Sequence, residues 1–248
     1  MQETTSHSLP NPLSEATGLS PWYRRIILGL ALAGLYLISR RNYLLFHSLV
    51  EIFSIVVAGS LFMIAWTSRH YSNNPYLLFI GIAYLFIGSI DLLHTLSYKG
   101  MSIFLDYDYY ANQLWIGARY LESLSLLLAF LLLSRSRPIR PLAVLTGYCL
   151  ATALLIASVF IWKVFPECFQ EGTGLTAFKK NSEYIICAIL LLDIALLLLY
   201  RAHFTDTIFR YLLWSMLFTI VSELAFTFYL DNYGFSNLVG HYFKLFSF

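Results

Sequence analysis

A chain of 248 residues that is 58% apolar and only 12% charged, with a mean hydropathy of +0.67, is too apolar for a soluble globular domain. Its net charge of +2 is too small to serve a nucleic-acid partner, and it holds no nucleic-acid-binding motif. Three scattered cysteines, Cys149, Cys168 and Cys187, form no CxxC pair, which argues against a disulfide framework and a thiolate metal site.

Residues 1–22 read as a flexible polar tail, rich in Ser, Thr and Pro and without the basic start and apolar core of a secretory signal. Trp22, Tyr23, Arg24 and Arg25 make an interfacial anchor ahead of the first apolar run. A membrane span needs about 20 mostly apolar residues. The runs predict spans at 23–39, 43–67, 75–98, 111–134, 141–165, 182–202 and 208–230, with an eighth opening near Ser236 and cut off at residue 248. The expected fold is all-α, a polytopic membrane bundle over residues 23–248 with seven complete spans, the start of an eighth and no sheet. Lipid leaves only helices or closed barrels, and these runs are too long and unbroken for barrel strands.

Loop cations set the orientation. With the N-terminus inside, the inner segments hold eight Lys and Arg, including those of SRSRPIR between spans four and five, against six outside, Lys179 and Lys180 among them. The outer loops are rich in Tyr and Trp. Tyr107, Tyr109 and Tyr110 read as an aromatic belt, and FPECFQEGTGLTAFKKNSEY as an ordered turn region.

Ionisable residues inside spans are the informative ones, because a charge at the bilayer centre costs roughly 2.5–3.5 kcal/mol even on insertion scales. His47 and Glu51 are four apart on one helix face; Asp91 and His94, and Arg119 and Glu122, are three apart. Glu223 lies late in the seventh span, and His241 and Lys244 open the eighth. Starts of even spans and ends of odd spans lie at one membrane side, so these groups are expected in one leaflet, the outer one for this orientation. Arg119, through its planar fork, is the natural partner of the carboxylates. Glu183, at a span mouth, is expected to be solvated by loop water, and Asp193 belongs to no group.

Three histidines with carboxylates are the donor types of a transition-metal site, and two histidines on separate helices can ligate a haem. His47, His94 and His241 are the metal candidates. The alternatives are a small polar ligand, proton sensing, or an ion network that only holds the helices in register. No phosphate loop, HExxH or GxSxG motif is present.

FIGSIDLLHTLSYKGM followed by QLWIGARYLESLSLL resembles the third type of bacterial membrane-associated sensor domain (MASE family). FHSLVEIFSIVVA, FPECFQEGTGLTAFKKNSEY, SELAFTFYLDNYG and GHYFK fit the same family, so the resemblance covers nearly the whole chain after residue 20. It implies a sensory input domain without catalysis, in the bacterial inner membrane. In that family the helices are followed by cytoplasmic PAS, histidine kinase (two-component) or diguanylate cyclase units. The candidate ligand-binding set is His47, Glu51, Asp91, His94, Trp115, Arg119, Glu122, Glu223, His241 and Lys244. Expected partners are the lipid bilayer, an output module beyond residue 248 and a second copy of the chain. A transporter would need polar groups through both leaflets, and an intramembrane metal-dependent enzyme would need an open metal position and a base such as Glu51 or Glu223.

Overall fold

The computed structural model describes residues 20–71, 74–133, 139–228 and 234–248. The expected tail, up to residue 19, and the inside signal of Arg135 and Arg137 lie outside the described residues. The chain divides into two compact units, residues 1–46 and 47–248.

In the first unit, α1 (Pro21–Arg41) starts on a proline at its first turn, where the missing N–H costs nothing, so helix begins inside the range expected for the tail. Asn42 ends it, its N–H returning to the Ile38 carbonyl at 2.7 Å. The same residue opens α2 (Tyr43–Ser68), its side chain accepting from the Leu45 N–H.

The second unit continues α2 and adds α3 (Pro75–Leu96), α4 (Tyr110–Leu133), α5 (Pro141–Ile156), α6 (Ala177–Leu199), α7 (Asp206–Phe226) and α8 (Phe235–Ser247). Seven described helices, α1 to α7, are long and apolar enough to cross a membrane. Asn74 caps α3 through the Leu77 N–H, Thr205 caps α7 through that of Ile208, and prolines stand in the first turns of α3 and α5. α5 ends in a π turn (Ala157–Ile161), closed by the Trp162 N–H on the Ala157 carbonyl at 2.8 Å.

The core is inverted relative to that of a soluble protein. On α2 the buried side includes His47, Glu51 and Ser54, while Ile52, Phe53, Val56, Met63 and Ile64 are exposed. Polar groups turn inward because lipid, unlike water, cannot solvate them. Apolar layers fill the rest around Ile82, Ile87, Ile116, Phe130, Ile186 and Leu190. α3 packs on α4 and α5, α4 on α6, α6 on α7, and α7 on α8. Small residues allow the closest approach: a Cβ on Gly81 would meet the Ala65 Cβ at 2.3 Å.

Two differences from the sequence expectation follow from local chemistry. The turn region after α5 forms a two-residue antiparallel ladder, β1 (Phe169–Gln170) with β2 (Gly174–Leu175), so the chain is not wholly without sheet. Gly172 and Gly174 take φ of 85° and 81°, which closes a turn that other residues would strain. Helix α6 begins five residues before the expected span, because Thr176 caps it by accepting the Lys179 N–H at 3.2 Å. Lys179 is therefore helical and buried rather than a loop cation.

Candidate functional site

The alternation of span direction brings together the start of α2, the end of α3, the starts of α4 and α6, the end of α7, and α8. Every residue of the candidate set is buried there. Four linked groups make up the cluster.

The guanidinium of Arg119 ties α3 to α4. Its Nη2 donates to both oxygens of Asp91, each at 2.7 Å, and its Nη1 pairs with Glu122 in the next turn of α4. Tyr84 of α3 donates its hydroxyl to Glu122 Oε1 at 2.9 Å, so Glu122 is held from two sides.

Lys244 ties α8 to α2 and α3. Its Nζ donates to Glu51 Oε2 at 2.5 Å and lies 3.6 Å from Asp91 Oδ2. Asp91 thus stands between two cations on two different helices. This offsets the cost of placing a carboxylate at the end of an apolar span.

The three histidines meet. His47 Nε2 is 3.3 Å from His94 Nε2, and the His47 and His241 ring centroids are 4.8 Å apart. His241 Nε2 is 3.7 Å from Glu51 Oε1. His94 Nδ1 bonds the Ala111 carbonyl at 2.8 Å and His241 Nδ1 the Asn237 carbonyl at 2.7 Å. A carbonyl only accepts, so both rings carry their proton on Nδ1 and present Nε2 to the cluster. Tyr98 stacks on His47 at 3.7 Å between ring centroids and accepts from Asn237 Nδ2 at 3.0 Å.

Trp115 is the hub. Lys244 Nζ, the Arg119 guanidinium carbon and Lys179 Nζ lie 4.5, 4.8 and 6.0 Å from its ring centroids. Its indole N–H donates to Glu223 Oε2 at 3.3 Å, and Phe226 meets it edge-on at 4.7 Å. Glu183 pairs with Lys179 one turn away, and both are sealed from solvent. This corrects the expectation that loop water solvates Glu183.

A cavity of about 20 Å³ lies at the centre, lined by His94, Trp115, Lys179 and His241 among others. It has room for about one water-sized guest. That space is far smaller than a haem. Asp193 stands apart: both of its oxygens are buried without a hydrogen-bond partner.

Sequence reasoning by charge missed Tyr84, Tyr98, Lys179 and Asn237. The neutral ones carry no charge to flag them. Lys179 had two signals, a Thr three residues ahead as a cap and Glu183 four residues on.

The family of membrane-associated sensor domains called MASE3 matches residues 38–248. The chain belongs to that family. The match runs through all six helices that build the cluster, from α2 to α8, so the site lies inside the sensor domain itself. No curated protein and no solved structure gives a match.

Proposed function

We propose that this sensor domain is the input unit of a bacterial signalling protein and that the buried cluster is its receiver. The observation that carries the reading is the way α8 is held. Asn237, His241 and Lys244 are all buried; Asn237 bonds to Tyr98, Lys244 pairs with Glu51 and Asp91, and His241 packs edge-on against His47. The last helix is therefore coupled to the bundle through polar and charged contacts as well as packing. A stimulus that changes the charge of the cluster changes how strongly α8 is held.

Only an interaction that differs between two states shifts their populations. Inverting a 1:99 ratio takes about 5.5 kcal/mol of differential free energy. Breaking one buried charge pair costs about 3–5 kcal/mol, so one pair gained or lost supplies much of it. We place the domain in the cytoplasmic membrane with its N-terminus inside and the cluster in the outer leaflet. α8 then runs toward the cytoplasm, where a PAS, histidine kinase or diguanylate cyclase unit receives the signal. In this reading the domain binds and relays; it performs no chemistry of its own. A homodimer is the natural assembly for such an output.

The test joins the domain to a readable output and compares the parent with His241→Ala, His94→Ala and Asp91→Asn. Each variant is first shown to reach the membrane folded. Loss or locking of the stimulus response in these variants is expected. Responses equal to the parent's would make the cluster a purely structural ion network.

A further inference from the structure

Among the described residues of the cluster, three cations (Arg119, Lys179, Lys244) face five carboxylates (Glu51, Asp91, Glu122, Glu183, Glu223), all of them buried. With neutral imidazoles two negative charges are left over. Buried charge demands compensation, so the cluster needs either added protons or a doubly charged cation.

The side chains show where such a cation goes. One atom each of His47, Glu51 and His94 lie within 4.8 Å of one another, and all three residues are buried. Two nitrogens bound at about 2.0–2.1 Å to a tetrahedral ion stand about 3.3 Å apart, the separation of His47 Nε2 and His94 Nε2. Glu51 Oε1 is buried without a hydrogen-bond donor, and it faces His241 Nε2 at 3.7 Å. Nδ1 of that ring donates to the Asn237 carbonyl, so Nε2 brings a lone pair to the side of Glu51 Oε1, and a cation between the two would be held by both. Glu51 Oε2 stays with Lys244.

The orientation of the rings adds an independent observation. Histidines that ligate metals donate their second ring N–H to a carbonyl or carboxylate, which fixes the tautomer and raises ligand basicity. His94 and His241 both do so, on the carbonyls of Ala111 and Asn237. The central cavity, about 20 Å³, borders both rings.

We propose that Nε2 of His47, His94 and His241 and Oε1 of Glu51 bind one divalent first-row transition cation, which ties α2, α3 and α8 together. Nitrogen donors with one carboxylate suit zinc, iron or copper rather than calcium or magnesium. The proposal rests on the sensor reading for its purpose and names the ligand class of that receiver.

The experiment reads binding without any signalling output. The purified domain in detergent is stripped with a chelator and loaded with zinc, ferrous iron, copper or cobalt. Metal per chain is measured by mass spectrometry after gel filtration, and cobalt ligation by visible absorption. The parent is expected to hold about one ion per chain, and Glu51→Gln and His94→Ala to bind cobalt about tenfold or more weaker at unchanged helicity. Asp106→Asn, an exposed loop carboxylate outside the cluster, is expected to bind as the parent does. A parent that retains none of the four ions, or binding that Glu51→Gln and His94→Ala leave intact, overturns the site and leaves protons as the compensating charge. Neither result would touch the sensor reading. Conversely, an output that ignores a bound metal would remove metal sensing and leave the site standing.

Discussion

Two regions of this molecule use the same kinds of ion pair to opposite ends. In the loops Lys163 donates to Asp106 at 2.9 Å, with the side chains 58% and 56% exposed. In the bundle Arg119 holds Asp91 at 2.7 Å, with 2% and 1% exposure. The lengths differ little; the surroundings differ entirely. Water solvates the loop charges whether or not they pair, so their pairing adds little. The cluster charges are held only by buried partners, so each partner becomes a condition for burying the next. Bond length therefore says little about worth; what would replace the bond says more.

The largest effect should come from breaking a buried pair. Asp91→Asn removes one anion from between Arg119 and Lys244 and is expected to destabilise the domain by about 3–5 kcal/mol, read as a fall in the melting temperature of the detergent-solubilised protein. The Lys179–Glu183 pair sharpens the point. Lys179→Met alone should lower the melt strongly, whereas Lys179→Met with Glu183→Leu should return it close to the parent, because no unpaired charge remains. A double variant as unstable as the single one would contradict the comparison.

A smaller effect separates packing from charge. Gly240 faces Phe226, whose ring carbons would lie 2.5–2.8 Å from an added Cβ. Phe226 packs in turn on Trp115 and His241. Gly240→Ala is expected to cost about 1–3 kcal/mol through overpacking, with every ion pair of the cluster still present. It should lower the melting temperature less than Asp91→Asn does.

The loops should show the smallest effects. Asp106→Asn removes the partner of Lys163 and is expected to leave the melting temperature unchanged at any salt concentration. Beside this pair, Cys168 shows that the loop region is not wet throughout. Burial pushes its thiol up to about 12, so it stays protonated, and poorly nucleophilic, below that pH. Alkylation of Cys168 by iodoacetamide at pH 8 should be slow in the folded domain and fast after denaturation. Rapid labelling of Cys168 in the native state would count against the sealed packing under β1.

The sequence showed the architecture and most of the cluster for one reason: lipid makes both conspicuous. Seven apolar runs need no tertiary knowledge, and a charge among them stands out. Asp91, Arg119, Glu122 and Glu223 could be placed in one leaflet by counting reversals of direction. What stayed hidden was whatever depends on the exact start of a helix or on uncharged polarity. Lys179 was assigned to a loop because the sixth apolar run was read as starting at residue 182, although Thr176 capped it into α6. Tyr98 and Asn237 carry no charge, and residues 139 apart in sequence gave no hint that they bond. The tautomers of His94 and His241 depend on carbonyls that only the folded chain brings within reach.

Trp115 also makes the cluster visible to light. Its ring lies among the cations of Lys244, Arg119 and Lys179 and donates to Glu223. An excited indole carries a redistributed dipole, so the field of those fixed charges sets the colour of its emission. With Trp22, Trp66, Trp162 and Trp214 exchanged for Phe, one emitter remains, at the centre of the cluster. Any ion or proton that enters would register as a shift in that colour, and a copper ion as darkness, even if α8 had not yet moved.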